Sequence, residues 1–578
     1  MGMLYRFSRT ASLNLVADPR SWTLQLAIIC VGLVLRVLEY IRKDSLWGDE
    51  AMLSLNIVSR PFHELLRPLA YAQVAPVPFL WAERLTVVLF GVNEWTLRSL
   101  PLIAGSALCV AVALLARRML PADEALVALT LVAFSLILIR YSAEVKPYSW
   151  DALVAVGLVG AAAGLLGQVD RAMAWWRLGA LGAVAILVSF TSLFICLGVG
   201  VALGLQLLVE KRANLLPRMG LLGLVWAILF TVAYAQFYQE EAAAPYLRSF
   251  WERAFLVPGS PFLLARTRVA LLEVAWGIYP GLALVGLSAL TFSLVLLGAV
   301  ALCRRGQATY ALLLLVPGVV PFAASALGTY PIATRLMLFT APLFIMLAAV
   351  GVIFLARLIH RLVPTVPGRW IAIVLLLPAV TSALARHSVK ARDQQMSPLV
   401  QALTERWREG DAVYVFHRVV PAWLFYSTTW SEPNLRQLAW AMRVSGPGGV
   451  GHENGPTRGS RPPGEGTDLV YNLSGHCVLL GTSSGVQGRA MFGYLPRQPD
   501  TAWAANESRR MRSAAHPRLW IILGNASHEG VNVGEILLNA VGEAGGKLTL
   551  RYSLQDGALY QVEFPPRCRG KRPHCVEA

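Results

Sequence analysis

Charge is scarce in this 578-residue chain: 15% of its residues are Asp, Glu, Lys or Arg, 56% are hydrophobic, and the mean hydropathy is +0.54. An ordinary soluble domain carries about a quarter charged residues, so that class is excluded. Acidic residues are scarcer than basic ones, 34 against 51, for a net charge of +17. The excess does not point to nucleic acid, because many arginines sit in short loops between apolar runs, and no zinc-finger spacing, basic helix or Walker-type loop accompanies them. Histidine is thin as well: His63, His387 and His417 supply no ligand spacing. The seven cysteines are scattered. Cys30, Cys109, Cys196 and Cys303 fall in or at the ends of apolar stretches as small fillers, while Cys477, Cys568 and Cys575 lie in a polar tail. A Cys568–Cys575 bridge is compatible with an extracytoplasmic tail, although spacing does not fix the pairing. No small-residue cleavage site follows the first apolar run, 22–38, which therefore reads as a retained helix.

Apolar windows of membrane-spanning length recur from residue 22 to residue 386 and then stop. The expected architecture is a polytopic α-helical membrane protein of about eleven spans, 22–40, 96–116, 122–139, 150–167, 175–190, 192–209, 219–237, 280–302, 309–327, 336–356 and 370–385. The run at 78–91 is short and carries Glu83 and Arg84, so it reads as an amphipathic helix at the interface. If it does not cross, Arg117/Arg118, Arg171/Arg177, Lys211/Arg212/Arg218, Arg304/Arg305 and Arg357/Arg361/Arg369 all fall on the cytoplasmic side with the N-terminus. An odd number of spans then places the tail outside. The domain division is a transmembrane domain over 1–386 and an extracytoplasmic α/β domain over 387–578, with strands at 411–416, 476–480 and 519–524, a helix at 532–543, a closing hairpin, and a flexible insert at 447–467.

With this topology three polar groups share the outer side: Asp49 with Glu50; Arg140, Tyr141, Glu144, Lys146, Tyr148 and Asp151; and Tyr330 with Arg335. None forms a metal signature alone. Carboxylates and cations at a membrane surface suit transfer of a sugar from a phosphate-linked lipid. A carboxylate takes the proton of an attacking hydroxyl, and cations balance the departing phosphate.

The motifs carry a resemblance. The sequence resembles the bacterial membrane glycosyltransferases of family 39, relatives of the protein O-mannosyltransferases and of the lipid A aminoarabinose transferase. That resemblance implies a GT-C fold and a base in the first outer loop, where Trp47, Asp49 and Glu50 match the W-x-D-E setting. RYSAEVKPY at 140–148 matches the second-loop pattern with Glu144 in the acidic position and Lys146 in place of an arginine, which keeps the charge and loses the planar fork. QVAPVPF (73–79) is similar to the proline-rich piece before the interface helix but lacks its histidine or acidic-lysine pair; NEWTLRSLP (93–101) and YPIATRLMLFTAP (330–342) are also family-like.

The implied enzyme is an inverting glycosyltransferase of the bacterial inner membrane, moving a sugar from a polyprenyl-phosphate donor to an extracytoplasmic hydroxyl on a protein, lipid or glycan. Asp49 and Glu144 are the expected catalytic residues, and Glu50, Arg140, Lys146, Tyr148, Tyr330 and Arg335 the expected substrate contacts. No cofactor is required, while a divalent metal on Asp49 and Glu144 is compatible with two hard oxygen donors. Each residue also has a plainer reading: Asp49 as a helix-start acid, Glu144 in a surface pair with Arg140 or Lys146, Arg335 as an interfacial anchor, and Arg36 with Glu39 as a local ion pair. The competing function is a transporter or flippase of lipid-linked sugars, which calls for polar residues and helix breaks at mid-membrane.

Overall fold

The computed structural model describes residues 20–42, 45–242, 245–388, 395–408, 411–427, 442, 471–472, 489–492, 500–514, 518–524, 527–528, 531–554 and 557–565. The chain divides into two compact units, Met1–Arg42 with Val74–Lys390, and Lys43–Gln73 with Ala391–Ala578.

The first unit is helical. It opens with α1 (Arg20–Ile41); α2 (Gly48–Ser59) belongs to the second unit. Then follow α3 (Val77–Phe90), α4 (Glu94–Met119), α5 (Ala122–Ala133), α6 (Leu136–Tyr141), α7 (Tyr148–Leu166), α8 (Ala172–Val188), α9 (Ser192–Val209) and α10 (Leu216–Phe237). The short α11 (Gln239–Ala242) and α12 (Pro245–Phe250) lead to α13 (Leu263–Ile278), α14 (Pro280–Leu284), α15 (Ser288–Arg304), α16 (Ala308–Ala326), α17 (Ala341–Leu362) and α18 (Gly368–Ser388). Among the described residues eight helices are long and apolar enough to cross a membrane, and α8 and α15 are shorter apolar helices. The protein is thus a multi-pass membrane protein.

Two expected spans are built differently. The run at 122–139 is broken at Phe134–Ser135, where the Ser135 hydroxyl accepts from Leu138 N–H at 3.5 Å and restarts the helix. Arg36 of α1, fully buried, fills the break. Its guanidinium donates to Val132 O at 3.2 Å and Ala133 O at 3.4 Å, carbonyls at the end of α5, and to Gly32 O at 3.0 Å. The local Arg36–Glu39 pair expected from spacing is therefore replaced: Glu39 accepts from Arg42 at 3.4 Å and from Arg386 Nε of α18 at 3.0 Å. The run at 280–302 likewise divides into α14 and α15, and the segment before it, 239–279, contains the sixteen-residue α13.

α17 lies at the centre of this unit, with 89% of its most apolar window buried. It meets α15 through glycine: a Cβ on Gly298 would fall 1.9 Å from Leu347 O, and one on Gly351 would fall 1.9 Å from Leu294 O. Backbone-to-backbone contact of this kind is how membrane helices pack when no hydrophobic drive separates lipid from helix. At one end of the bundle Arg305 pairs with Glu124 at 2.6 Å and Arg357 with Asp123 at 2.5 Å, joining α5, α15 and α17.

Along α3, Trp81, Leu85, Val88, Leu89 and Phe90 are exposed. Glu83 faces the other way and is fully buried, with no hydrogen-bond partner for either carboxyl oxygen among the described residues. Burial raises its pKa well above the ordinary glutamate value. The folded state therefore binds a proton that the unfolded chain releases, and stability falls as pH rises above the usual carboxylate range. Glu83→Gln removes that loss. The variant is expected to melt higher than wild type at pH 8 and to converge with it at pH 4, as read by thermal unfolding in detergent; equal melting curves at both pH values would contradict this.

The second unit contains a six-stranded sheet in the order β2-β3-β1-β4-β8-β7. The strands are β1 (Ala412–Val415), β2 (Tyr471–Asn472), β3 (Arg489–Phe492), β4 (Leu519–Gly524), β7 (Lys547–Ser553) and β8 (Gly557–Glu563), with β5 (Ser527–His528) and β6 (Val531–Asn532) forming a separate pair. β1 runs parallel to β3 and β4, and every residue of it is buried, as its unbroken apolar sequence requires. β7 and β8 form the expected hairpin. Helices α19 (Met396–Arg406), α20 (Val420–Ser427), α21 (Thr501–Ala514) and α22 (Val533–Glu543) complete this unit with α2. The expected insert at 447–467, the strand at 476–480, and Cys477, Cys568 and Cys575 lie outside the described residues.

Candidate functional site

Asp49 stands in the first turn of α2, where the helix end favours a negative side chain. Glu50, the next residue, is 1% exposed, and its Oε2 accepts from Trp47 N–H at 3.4 Å. This reach-back bond closes the helix start, in the manner of the third residue of a capping box. The two adjacent acids thus do different work, and only Asp49 is half-buried rather than buried.

Asp49 Oδ1 accepts from Gln73 Nε2 at 3.3 Å. Gln73 is brought there by a loop that Asn56 of α2 fastens. Asn56, fully buried, donates from Nδ2 to Ala70 O at 3.2 Å and accepts Ala70 N–H on Oδ1 at 2.8 Å. Between that clamp and Gln73, Tyr71 and Ala72 adopt φ of 62° and 49°. Left-handed backbone costs a non-glycine residue about 1–2 kcal/mol, and such conformations persist where surrounding contacts over-determine them, often at functional sites. Gln73 was legible only as the first residue of QVAPVPF; nothing in its spacing marked it as Asp49's partner.

In the first unit the turn between α6 and α7 holds the second group. Arg140 Nε donates to Glu144 Oε1 at 3.1 Å; the Glu144 side chain is 7% exposed and that of Arg140 is 35% exposed, so the cation keeps a solvent-facing edge. Lys146 is buried in the same turn, its N–H bonded to Glu144 O at 2.7 Å. Tyr148 begins α7 and packs edge-on against Tyr141, with ring centroids 5.2 Å apart. One turn on, Asp151 is buried beside Ser189 at the end of α8 and beside Tyr330, its Oδ1 without a hydrogen-bond partner among the described residues. Sequence reading named Asp151 without a role.

The third group is fixed by its neighbours. Tyr330 donates its hydroxyl to Leu336 O at 2.8 Å and packs edge-on against Phe194 at 4.7 Å. Burial pushes its phenol above the ordinary value, and the charge of Asp151 adds to the effect, so it serves as a neutral donor. Thr334 ties the same turn to α13, its N–H donating to Glu273 Oε2 at 2.9 Å. Arg335 is half-buried, its guanidinium 4.9 Å from the centre of the Trp251 ring.

The structure thus joins Arg140, Glu144 and Lys146 in one turn and sets Asp151 between Ser189 and Tyr330. Asp49, Glu50 and Gln73 belong to the other unit. Among the described residues no three or more His, Cys, Asp or Glu side chains gather as a metal site.

Residues 74–235 match the sequence profile of the family described as dolichyl-phosphate-mannose-protein mannosyltransferase, which the chain resembles over that stretch. No curated protein matches the chain. Among solved structures, ArnT from Cupriavidus metallidurans bound to undecaprenyl phosphate is similar at 13% identity over 95% of this chain and 100% of that one, with a TM-score of 0.48. The apo oligosaccharyltransferase of Archaeoglobus fulgidus is 14% identical over 93% of this chain and 74% of that one, with a TM-score of 0.47. The archaeal oligosaccharyltransferase AglB from Archaeoglobus fulgidus, in complex with an inhibitory peptide and a dolichol-phosphate, is 13% identical over 93% and 74%, with a TM-score of 0.44.

Proposed function

We propose that the protein is a GT-C membrane glycosyltransferase that moves a sugar from a polyprenyl-phosphate donor to an extracytoplasmic acceptor hydroxyl with inversion, Asp49 being the general base. The reaction class rests on the family match over residues 74–235. The observation that carries Asp49 is its placement: a half-buried carboxylate at a helix start, oriented by Gln73, while Glu50 is occupied in closing the helix.

In this reading Asp49 takes the acceptor's proton as the hydroxyl oxygen attacks the anomeric carbon. The bond from that carbon to the phosphate oxygen breaks, and its electron pair leaves with the lipid phosphate. Arg335, Arg140 and Lys146 are assigned to the growing phosphate charge. Glu144 is assigned to holding Arg140 at that task through their ion pair at 3.1 Å. Tyr148 and Tyr330 are assigned to the donor. The site works in the bacterial inner membrane with the N-terminus cytoplasmic and the α/β unit extracytoplasmic.

The stereochemistry tests the single displacement. The product's anomeric configuration, read by NMR against that of the donor, should be inverted, and retention would point to a covalent glycosyl intermediate instead. Gln73→Met tests the orientation of the base. It keeps the length of the side chain and removes the amide donor, so kcat is expected to fall about 10-fold, the scale of one hydrogen bond to a charged group. Donor KM should hold; a change confined to KM would place Gln73 in binding.

A further inference from the structure

We infer that the C-terminal α/β unit is a positioning device for the first loop, acting through Tyr426 on the segment that carries Asp49. This rests on the reading of Asp49 as the base and extends it to the role of a domain that no motif explains.

The path is continuous and lies within one compact unit. The central strand β1 is wholly buried, and Phe416 N–H extends its ladder to Ile522 O of β4 at 2.9 Å. A 3-10 turn, His417–Val419, then redirects the chain into α20, every residue of which is buried. α20 packs along α2. Near its end, Tyr426 is 5% exposed and accepts the N–H of Leu46 on its hydroxyl at 2.8 Å; Leu46 is fully buried. Leu46 immediately precedes Trp47, the residue at the start of Asp49's helix.

A second tie holds the same point. The Ser45 hydroxyl accepts from Ser397 N–H, in the first turn of α19, at 3.0 Å. α19 in turn packs on α20 and β8. At the far end of α2, Ser59 Oγ lies 3.9 Å from Met442 Sδ. Residues 45–59 are therefore gripped at both ends by the C-terminal part of the chain, although more than 300 residues separate them in sequence.

The chemistry of the grip is backbone-specific. A buried N–H requires an acceptor, and the tyrosine hydroxyl supplies one where no helix or strand carbonyl is aligned. Loss of that oxygen leaves Leu46 N–H without its acceptor and frees the entry to α2. A base displaced by an ångström costs a large rate factor without touching donor affinity. Tyr426 is thus a positioning residue, not a catalytic one.

The test uses full-length protein in lipid and Tyr426→Phe. Amide hydrogen exchange over residues 45–52 is expected to rise about 10-fold or more as the hydroxyl tie is lost. Turnover of undecaprenyl-phosphate mannose, the probe donor, is expected to fall at least about 10-fold with binding of undecaprenyl phosphate unchanged. Unchanged exchange overturns the inference, since the loop is then held otherwise; accelerated exchange with unchanged turnover overturns it too, because the grip is then irrelevant to chemistry. The exchange arm needs no substrate. If Tyr426→Phe does not fold, Ser45→Ala, which deletes the acceptor for Ser397, is read in the same way. Asp49→Asn run in parallel separates the two readings: an active Asp49→Asn protein overturns the base assignment, whereas an inactive one beside a fully active Tyr426→Phe overturns only the positioning role.

Discussion

Asp49→Asn is expected to lower kcat by about 10²–10⁴-fold, the usual range for removing a positioned general base. The substitution keeps the shape of the side chain and an oxygen able to accept from Gln73 Nε2, the bond seen at 3.3 Å. It removes the basicity that draws the acceptor proton. The loss corresponds to about 3–5 kcal/mol of transition-state stabilisation, well above that expected of Gln73→Met, which perturbs orientation and leaves the carboxylate in place. Donor affinity should be unaffected, because the carboxylate is assigned to the acceptor's proton and not to the lipid phosphate. Binding of undecaprenyl phosphate, followed by calorimetry, checks that half. A mutant that binds normally and turns over normally would leave Asp49 as a helix-start acid and no more. Glu50→Gln is the informative companion: its carboxylate accepts from Trp47 N–H at 3.4 Å, so its loss should act on stability before rate.

Gly351→Val is expected to abolish recovery of folded protein. Any Cβ at position 351 falls 1.9 Å from the carbonyl oxygen of Leu294, and no rotamer moves a Cβ. Relief requires α15 and α17 to separate, which also opens the close backbone approach at Gly298, where an added Cβ would likewise fall 1.9 Å from a carbonyl oxygen, that of Leu347. The cost exceeds the roughly 1–3 kcal/mol of an overpacked side chain, which can still rotate away. α17 is the most enclosed of the long helices, so its shift is transmitted through the bundle. Monodisperse yield after detergent extraction reads the outcome. Gly200→Ala is the control: nothing lies within 4 Å of its added Cβ, and that protein should be recovered like wild type. Equal recovery of the two variants would contradict the close crossing of α15 and α17.

The helices were legible because a membrane span writes itself as an apolar run, and the positions of α4, α7, α9, α10, α16 and α18 follow those runs closely. The break at Phe134–Ser135 was not legible. It is met by Arg36, 96 residues away in sequence from Val132, donating to carbonyls at the end of α5 within an otherwise uniform apolar stretch. Arg36 and Glu39 are three apart on one helix, which invites a pairing rule; beside their local partners, Gly32 O and Arg42, each instead reaches across to a residue distant in sequence, Val132 and Ala133 for Arg36 and Arg386 for Glu39, about which spacing carries no information. In the α/β unit, β1, β4, α22 and the β7–β8 hairpin follow from apolar strands, helical periodicity and a turn. Their order in the sheet does not, because parallel neighbours are set by crossovers.

The candidate site was legible in parts. Asp49, Glu144 and Arg335 stood out as charge at helix ends. Gln73 did not, since a neutral amide in a proline-rich loop has no signature, and its role arises from the left-handed backbone at Tyr71 and Ala72 together with the Asn56 clamp. Glu50 directly follows Asp49 and need not face the same pocket, since consecutive residues on a helix point about 100° apart; its bond to Trp47 N–H was not legible from that adjacency.

The most direct measurement is the fate of the donor. Purified wild-type protein in lipid, given polyprenyl-phosphate sugars and a panel of protein, lipid and glycan acceptors, should consume donor and release one lipid phosphate for each sugar transferred. Donor that binds and stays chemically intact across the whole panel, or that changes leaflet without losing its sugar, would contradict the enzyme and favour a transporter of lipid-linked sugars.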